Sequence, residues 1–215
     1  MPSATYLVRK TPGDFVISGD GSSPRWQQSA ELADFRYPWE ADKPSRTSFR
    51  ALHGDSWIYF LFDVDDTNVH VQVESNNKLE VIDSSRVEIF FRIDRHLSPY
   101  FCLELDAMGR VLDYRGQLHR QFDFDWSWPA GGLVAKARTR QGGYVVETAV
   151  SKESLNRLGL LPKNKQQLQA GLFRAQCTRT VVPREHMRWI SWVQPNSETP
   201  DFHIPSAFGT LDLLD

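Results

Sequence analysis

The chain has 215 residues, of which 40% are hydrophobic and 24% charged, and its formal net charge is −2. That length can bury a sizeable core. The near-neutral balance argues against a nucleic-acid partner, whose polyanionic backbone selects a clearly basic surface. No apolar run approaches the roughly 20 residues that span a bilayer, so no membrane partner is expected. The opening MPSATYLVRKTPGD has no leader-like hydrophobic stretch, which reads as cytoplasmic, or as secreted if a leader has been trimmed away.

In chain order, PRWQQSAELADF suggests a turn of helix, and ten strand-like runs follow: SFRALH, WIYFLFDV, RVEIFFRI, YFCLELD, RVLDY, LVAKARTR, YVVETAV, LQAGLFRAQC, RWISWV and GTLDL. Each is rich in β-branched or aromatic residues. Asp106-Ala107-Met108-Gly109 and Gln141-Gly142-Gly143 are turn sequences that join neighbouring runs into antiparallel hairpins. One helix is predicted, capped by Ser151 and ended by Gly159, with Leu155 and Leu158 on its buried face. No repeat, linker or low-complexity tract divides the chain. The expected fold is therefore all-β, a single antiparallel β-sandwich domain of the immunoglobulin or jelly-roll kind over residues 1–215, with one or two short helices.

The two-residue period assigns faces. Val87, Ile89, Phe91 and Ile93 point one way and Arg86, Glu88, Phe90 and Arg92 the other; Phe101, Leu103 and Leu105 oppose Tyr100, Cys102, Glu104 and Asp106. One sheet face is thus expected to carry Glu88, Glu104, Glu147 and Arg174 among rings, either as cross-strand pairs on a wet surface or as a ligand-facing surface. Cys102 and Cys177 lie in apolar runs and read as reduced core thiols.

The stretch QFDFDWSWPAGG (121–132) places Phe122, Phe124, Trp126 and Trp128 on alternate residues with Asp123 and Asp125 between them. A strict strand would put all four rings on one face, where Trp126 and Trp128 could form a platform for a sugar ring while the acids accept hydrogen bonds from its hydroxyls. Packing of one tryptophan into the sandwich is the plainer alternative.

Motifs for chemistry are few. DVDDTNVHVQVE has acids at EF-hand positions but Asn68 where the glycine belongs and strands on either side, which excludes an EF-hand. Asp65 and Asp66 at a strand end still offer hard oxygen ligands for a calcium ion. Zinc spacing, a phosphate loop and a nucleophile elbow are all missing. Glu104 and Asp106 are about 6.5–7 Å apart on one strand face by strand rise, a spacing open to glycosidase acids but shared by any strand with alternating acids.

The order of ISGDGSSPRW, WIYFLFDVDD, SSRVEIFF, YFCLELDAMGRVLDY, GGYVVETAVSKESL, GLFRAQ, ISWV and FHIPSAFGTLDL resembles carbohydrate-binding module family nine, in its free-standing family nine-like branch, from about Phe15 to Leu213. The resemblance implies a non-catalytic β-sandwich that binds oligo- or polysaccharide, requires no catalytic cofactor and carries calcium as a structural ion. By the same resemblance Glu88 contacts sugar and Asp66, with Asp65, marks the calcium position. Ile82 and Phe202 stand where the family has two clamping tryptophans, and Cys102 and His186 where it has arginines. The site expected on these grounds comprises Glu88, Asp201 and Phe202, then Trp126, Trp128 and His186. Two other classes stay open: a sandwich-fold glycosidase using Glu88, Glu104 or Glu147, marked by a carboxyl of raised pKa in a cleft, and a protein-interaction or sensory domain, favoured by Ile82. The oligomeric state is not legible.

Overall fold

The computed structural model describes residues 4–75, 77–178 and 186–215. These form twelve strands: β1 (Thr5–Lys10), β2 (Thr47–His53), β3 (Trp57–Asp65), β4 (Arg86–Arg92), β5 (Tyr100–Asp106), β6 (Val111–Gln117), β7 (Gln121–Asp123), β8 (Leu133–Arg140), β9 (Gly143–Ser151), β10 (Gln167–Cys177), β11 (Met187–Ser191) and β12 (Gly209–Leu213). One α-helix, α1 (Lys152–Arg157), and short 3-10 turns at Pro24–Gln28, Lys78–Asp83 and Pro205–Ala207 complete the described elements. The ten strand-like runs all become strands. The Ser151 hydroxyl caps α1 by accepting from the Ser154 N–H at 3.1 Å, and Gly159 follows at φ +73°, as the sequence predicts.

The strands run in the order β7-β6-β5-β4-β10-β12-β1-β2-β3-β9-β8, with β11 added beside β10. This curled sheet folds over itself as a sandwich. All pairings are antiparallel except those of β1, which lies parallel to β12 along Thr5–Val8 and parallel to β2 at Arg9 and Lys10. The expected antiparallel β-sandwich is thus borne out, with the two parallel pairings of β1 making its sheet a mixed one. TYLVRK, a run with no strand signal strong enough to stand out, is the piece that joins the two halves.

The main core lies between the halves, and rings fill it: Phe49 packs on Tyr6, Phe60 and Phe62, and Phe60 on Phe91. Val87, Ile89 and Phe91 of β4 and Phe101, Leu103 and Leu105 of β5 face this core as their alternation demands. The opposite faces of β4 and β5 are also buried, because loops cover them. Phe90, Tyr100, Cys102, Tyr114 and Phe173 form a second cluster there with Phe202 and Phe208. A third cluster, under the N-terminal loop, gathers Trp26, Tyr59 and Val145 on the far side of β3 and β9. No helix among the described residues is long and apolar enough to cross a membrane.

Candidate functional site

The covered outer face of β4, β5 and β6 is the floor of a cavity of about 260 Å³. Alternation sends Arg86 and Glu88 from β4, Glu104 from β5 and Tyr114 from β6 to this side. Glu88 and Glu104 sit directly opposite each other in the ladder. One guanidinium serves both: Arg86 Nη2 is 2.9 Å from Glu88 Oε1, and its Nε is 2.5 Å from Glu104 Oε2. Arg86 also donates to the Ile82 carbonyl at 2.7 Å, and the Tyr114 hydroxyl donates to Glu104 Oε1 at 2.8 Å. These side chains are nearly inaccessible, at 3% for Arg86 and 2% for Glu88.

Burial and the neighbouring Glu104 push the Glu88 carboxyl up to about 8, against the pull of Arg86. Burial also holds the Tyr114 hydroxyl well above its ordinary range, so it stays a donor. His203 closes the floor, stacked on Phe90 at 5.0 Å and hydrogen-bonded through Nδ1 to the Tyr100 hydroxyl at 2.9 Å. Its ring is driven down to about 3, first by burial and then by Arg120 and Arg86, and is neutral. Tyr100 reaches it because residue 116 is glycine, where a Cβ would collide with the Tyr100 ring.

Aromatic walls rise around this polar base. Phe202 stacks on Phe173 with centroids 4.1 Å apart and planes within 13°. Trp189 meets Phe202 edge-on at 5.8 Å and Trp39 lies against it at 5.4 Å. Both tryptophans line the cavity, and both are only partly buried. Arg188 of β11 ties the Trp189 strand to the loop that carries Trp39, pairing with Glu40 at 2.5 Å and Asp42 at 2.9 Å, while Trp39 Nε1 donates to the Ser197 carbonyl at 2.9 Å. Phe122 and Phe124 form the opposite wall. At the rim Arg120 and Asp201 pair at 3.1 Å, and Asp201 also accepts from the His203 N–H at 2.9 Å. Rings offer flat apolar contact, and the acids and hydroxyls offer hydrogen bonds, the combination that holds a polyhydroxylated ring.

Of the residues predicted from sequence, Glu88, Asp201 and Phe202 come together in this cavity. His186 lies just outside the described lining, its carbonyl accepting from the Thr178 N–H at 2.9 Å. Trp126 and Trp128 are a correction. The ribbon turns after β7, so the four rings do not share a face: Phe122 and Phe124 turn to the cavity, while Trp126 and Trp128 pack on Phe101 in the main core. Trp128 Nε1 donates to Ser154 Oγ at 3.0 Å, which fixes it as a sandwich plug. The expected acidic face is corrected too. Arg174 points between the sheets, and Glu147 lies under the N-terminal loop, accepting from Trp26 Nε1 at 2.7 Å and from the backbone of Ser18 and Gly19. Sequence reasoning missed Trp39, Trp189, Arg120 and His203; no local pattern joins positions so far apart.

Asp65 and Asp66 do not fit a calcium ion. Asp66 Oδ2 lies 3.1 Å from the guanidinium of fully buried Arg174, which also binds the Asp65 carbonyl at 3.0 Å and the Ser45 and Thr47 hydroxyls at 3.1 Å each. Asp65 itself pairs with Arg140 at 2.6 Å. A fixed cation already occupies the place where oxygens converge. No group of three or more ligating side chains among the described residues could hold a metal.

Comparison with known proteins agrees with the fold. The structure is similar to that of a candidate carbohydrate-binding protein from Bacteroides uniformis ATCC 8492, with a TM-score of 0.73 at 17% identity over 99% of this chain and all of that one. It is also similar to a carbohydrate binding module of family 9 from Caldicellulosiruptor kristjanssonii, solved with glucose (TM-score 0.58, 18% identity, 97% of this chain and 95% of that one) and with cellotriose (0.60, 18%, 98% and 93%). Among curated proteins, no sequence matches this chain. The family model described as carbohydrate family 9 binding domain-like matches residues 17–215, and the chain belongs to that family.

Proposed function

We propose that the protein binds carbohydrate without transforming it, in the cavity floored by Glu88 and Glu104 and walled by Trp39, Trp189 and Phe202. The observation that carries this is the meeting of half-buried indoles with two carboxyl groups ion-paired to one guanidinium in one cavity of about 260 Å³. Support comes from the family match and from the family 9 module seen with glucose and cellotriose. The C–H face of a pyranose lies against Trp39 or Trp189, and its hydroxyls bond to Glu88, Glu104 and Asp201. Calorimetric titration with glucose and cello-oligosaccharides tests it on wild type and Trp189→Ala. Saturable heat weakened by the variant supports the site, and no heat with any sugar in the panel overturns the reading.

The glycosidase alternative has one observation in its favour, the raised carboxyl of Glu88. Its geometry is against it. Both glutamates converge on the single guanidinium of Arg86, at 2.9 and 2.5 Å, whereas hydrolysis needs acids on either side of the scissile bond. No release of reducing sugar from oligosaccharides is expected.

A further inference from the structure

We infer that Arg120 is a further sugar-contacting residue, which with Asp201 takes two adjacent hydroxyls of the ligand at the rim of the cavity. The inference deepens the sugar-binding reading and rests on it. At the floor the charged groups are already turned on one another: Arg86 lies 2.9 Å from Glu88 and 2.5 Å from Glu104, and the Tyr114 hydroxyl donates to Glu104 at 2.8 Å. The Arg86, Glu88 and Glu104 side chains are at most 6% exposed. The rim differs. There the Arg120 side chain is 53% exposed and that of Asp201 26%, so an entering sugar meets this pair first.

Their own pairing leaves both with bonds to give. Arg120 reaches Asp201 through one pair of atoms, Nη1 to Oδ1 at 3.1 Å, and the His203 N–H donates to the same Oδ1 at 2.9 Å. Among the described residues, Arg120 Nε and Nη2 and Asp201 Oδ2 make no hydrogen bond. A planar donor set beside a carboxylate oxygen matches a vicinal diol: the guanidinium donates to one hydroxyl oxygen, and the carboxylate accepts from the next hydroxyl. The backbone is arranged to put the arginine there. In the turn between the paired Gln117 and Gln121, His119 and Arg120 both take left-handed φ, +64° and +58°. Asparagine and glycine are the usual occupants of such a turn, and larger residues hold it only where their surroundings impose it. Here the Arg120 guanidinium lies 5.5 Å from the ring centroid of Phe122, so a wall of the cavity supports it.

The test is a double cycle between residue and ligand. Glucose and its 1-, 2-, 3- and 4-deoxy analogues, each lacking one hydroxyl, are titrated calorimetrically into the intact wild type, Arg120→Met and Asp201→Ala, with thermal melts to show each variant folded. Arg120→Met keeps an apolar stem over Phe122 and removes every donor. It should bind glucose about tenfold more weakly, the loss of a hydrogen bond to a charged group. For one deoxy analogue it should bind as tightly as the wild type does, because the hydroxyl that Arg120 reads is already gone. Asp201→Ala should match the wild type on an analogue lacking a neighbouring hydroxyl. Unchanged glucose affinity in Arg120→Met overturns the inference. So does an equal loss with every analogue, which puts the effect in the shape of the cavity, and so does a non-neighbouring pair of hydroxyls. Each of these leaves the sugar-binding reading standing, whereas no heat from the wild type with any of the five sugars overturns both.

Discussion

Glu88 and His203 lie in one cavity and shift in opposite directions because burial penalises whichever form of a group is charged. His203 falls from an ordinary 6.5 to about 3, so the unfolded chain binds more protons between those values. Its contribution to stability is complete above 6.5 and is lost as pH falls through about 3. Glu88 rises from 4.5 to about 8, so its contribution is complete below 4.5 and is lost as pH rises through about 8. Urea melts across pH should show both limbs, with Glu88→Gln flattening the alkaline one and His203→Gln the acid one. The tryptophans divide in the same way. Trp189→Ala should weaken sugar binding more than about tenfold, the loss typical of a central aromatic anchor. Trp128→Ala should cost about 3–5 kcal/mol of stability, as a core truncation does, and change sugar affinity little. Parallel titrations and melts check the pair.

At the scale of elements, the ends of β3 and β10 show how a side chain does a metal's work. Arg174 is fully buried and gathers oxygens from Ser45, Thr47, Asp65 and Asp66, drawn from two separate segments. A chelator should therefore leave the melting temperature unchanged. Arg174→Ala should cost about 3–5 kcal/mol, because Asp66 is left as an uncompensated buried charge. Thermal melts with and without a chelator separate the outcomes, since a drop in the wild type would sink this account. The 121–132 stretch makes a complementary point. Its alternation is real, yet β7 holds for only three residues before the chain turns, and the turn sends two rings to each side. A period of two describes a strand only while the ladder lasts.

For the whole molecule, β1 is the joint. It pairs with β12 through Val8 and with β2 from Arg9, so the two halves of the sandwich share one strand and one core. Unfolding in urea followed by tryptophan fluorescence and by far-UV circular dichroism should give one coincident transition. Two separated transitions would mean that the halves fold independently and would sink the single-domain expectation.

The amino-acid sequence alone determined ten of the twelve described strands, the capped helix and the faces of β4 and β5, because alternation, turn residues and caps are local and act within a few residues. It also placed Glu88 on the outer face and, through the family resemblance, Phe202 beside it. Which outer face is roofed, and by what, only the tertiary structure decided. Trp39 and Trp189 stand 150 positions apart and meet across Phe202, and Arg86 serves two acids only because β5 pairs beside β4. Such contacts follow from how distant segments close over one another, and no short-range pattern encodes that closure.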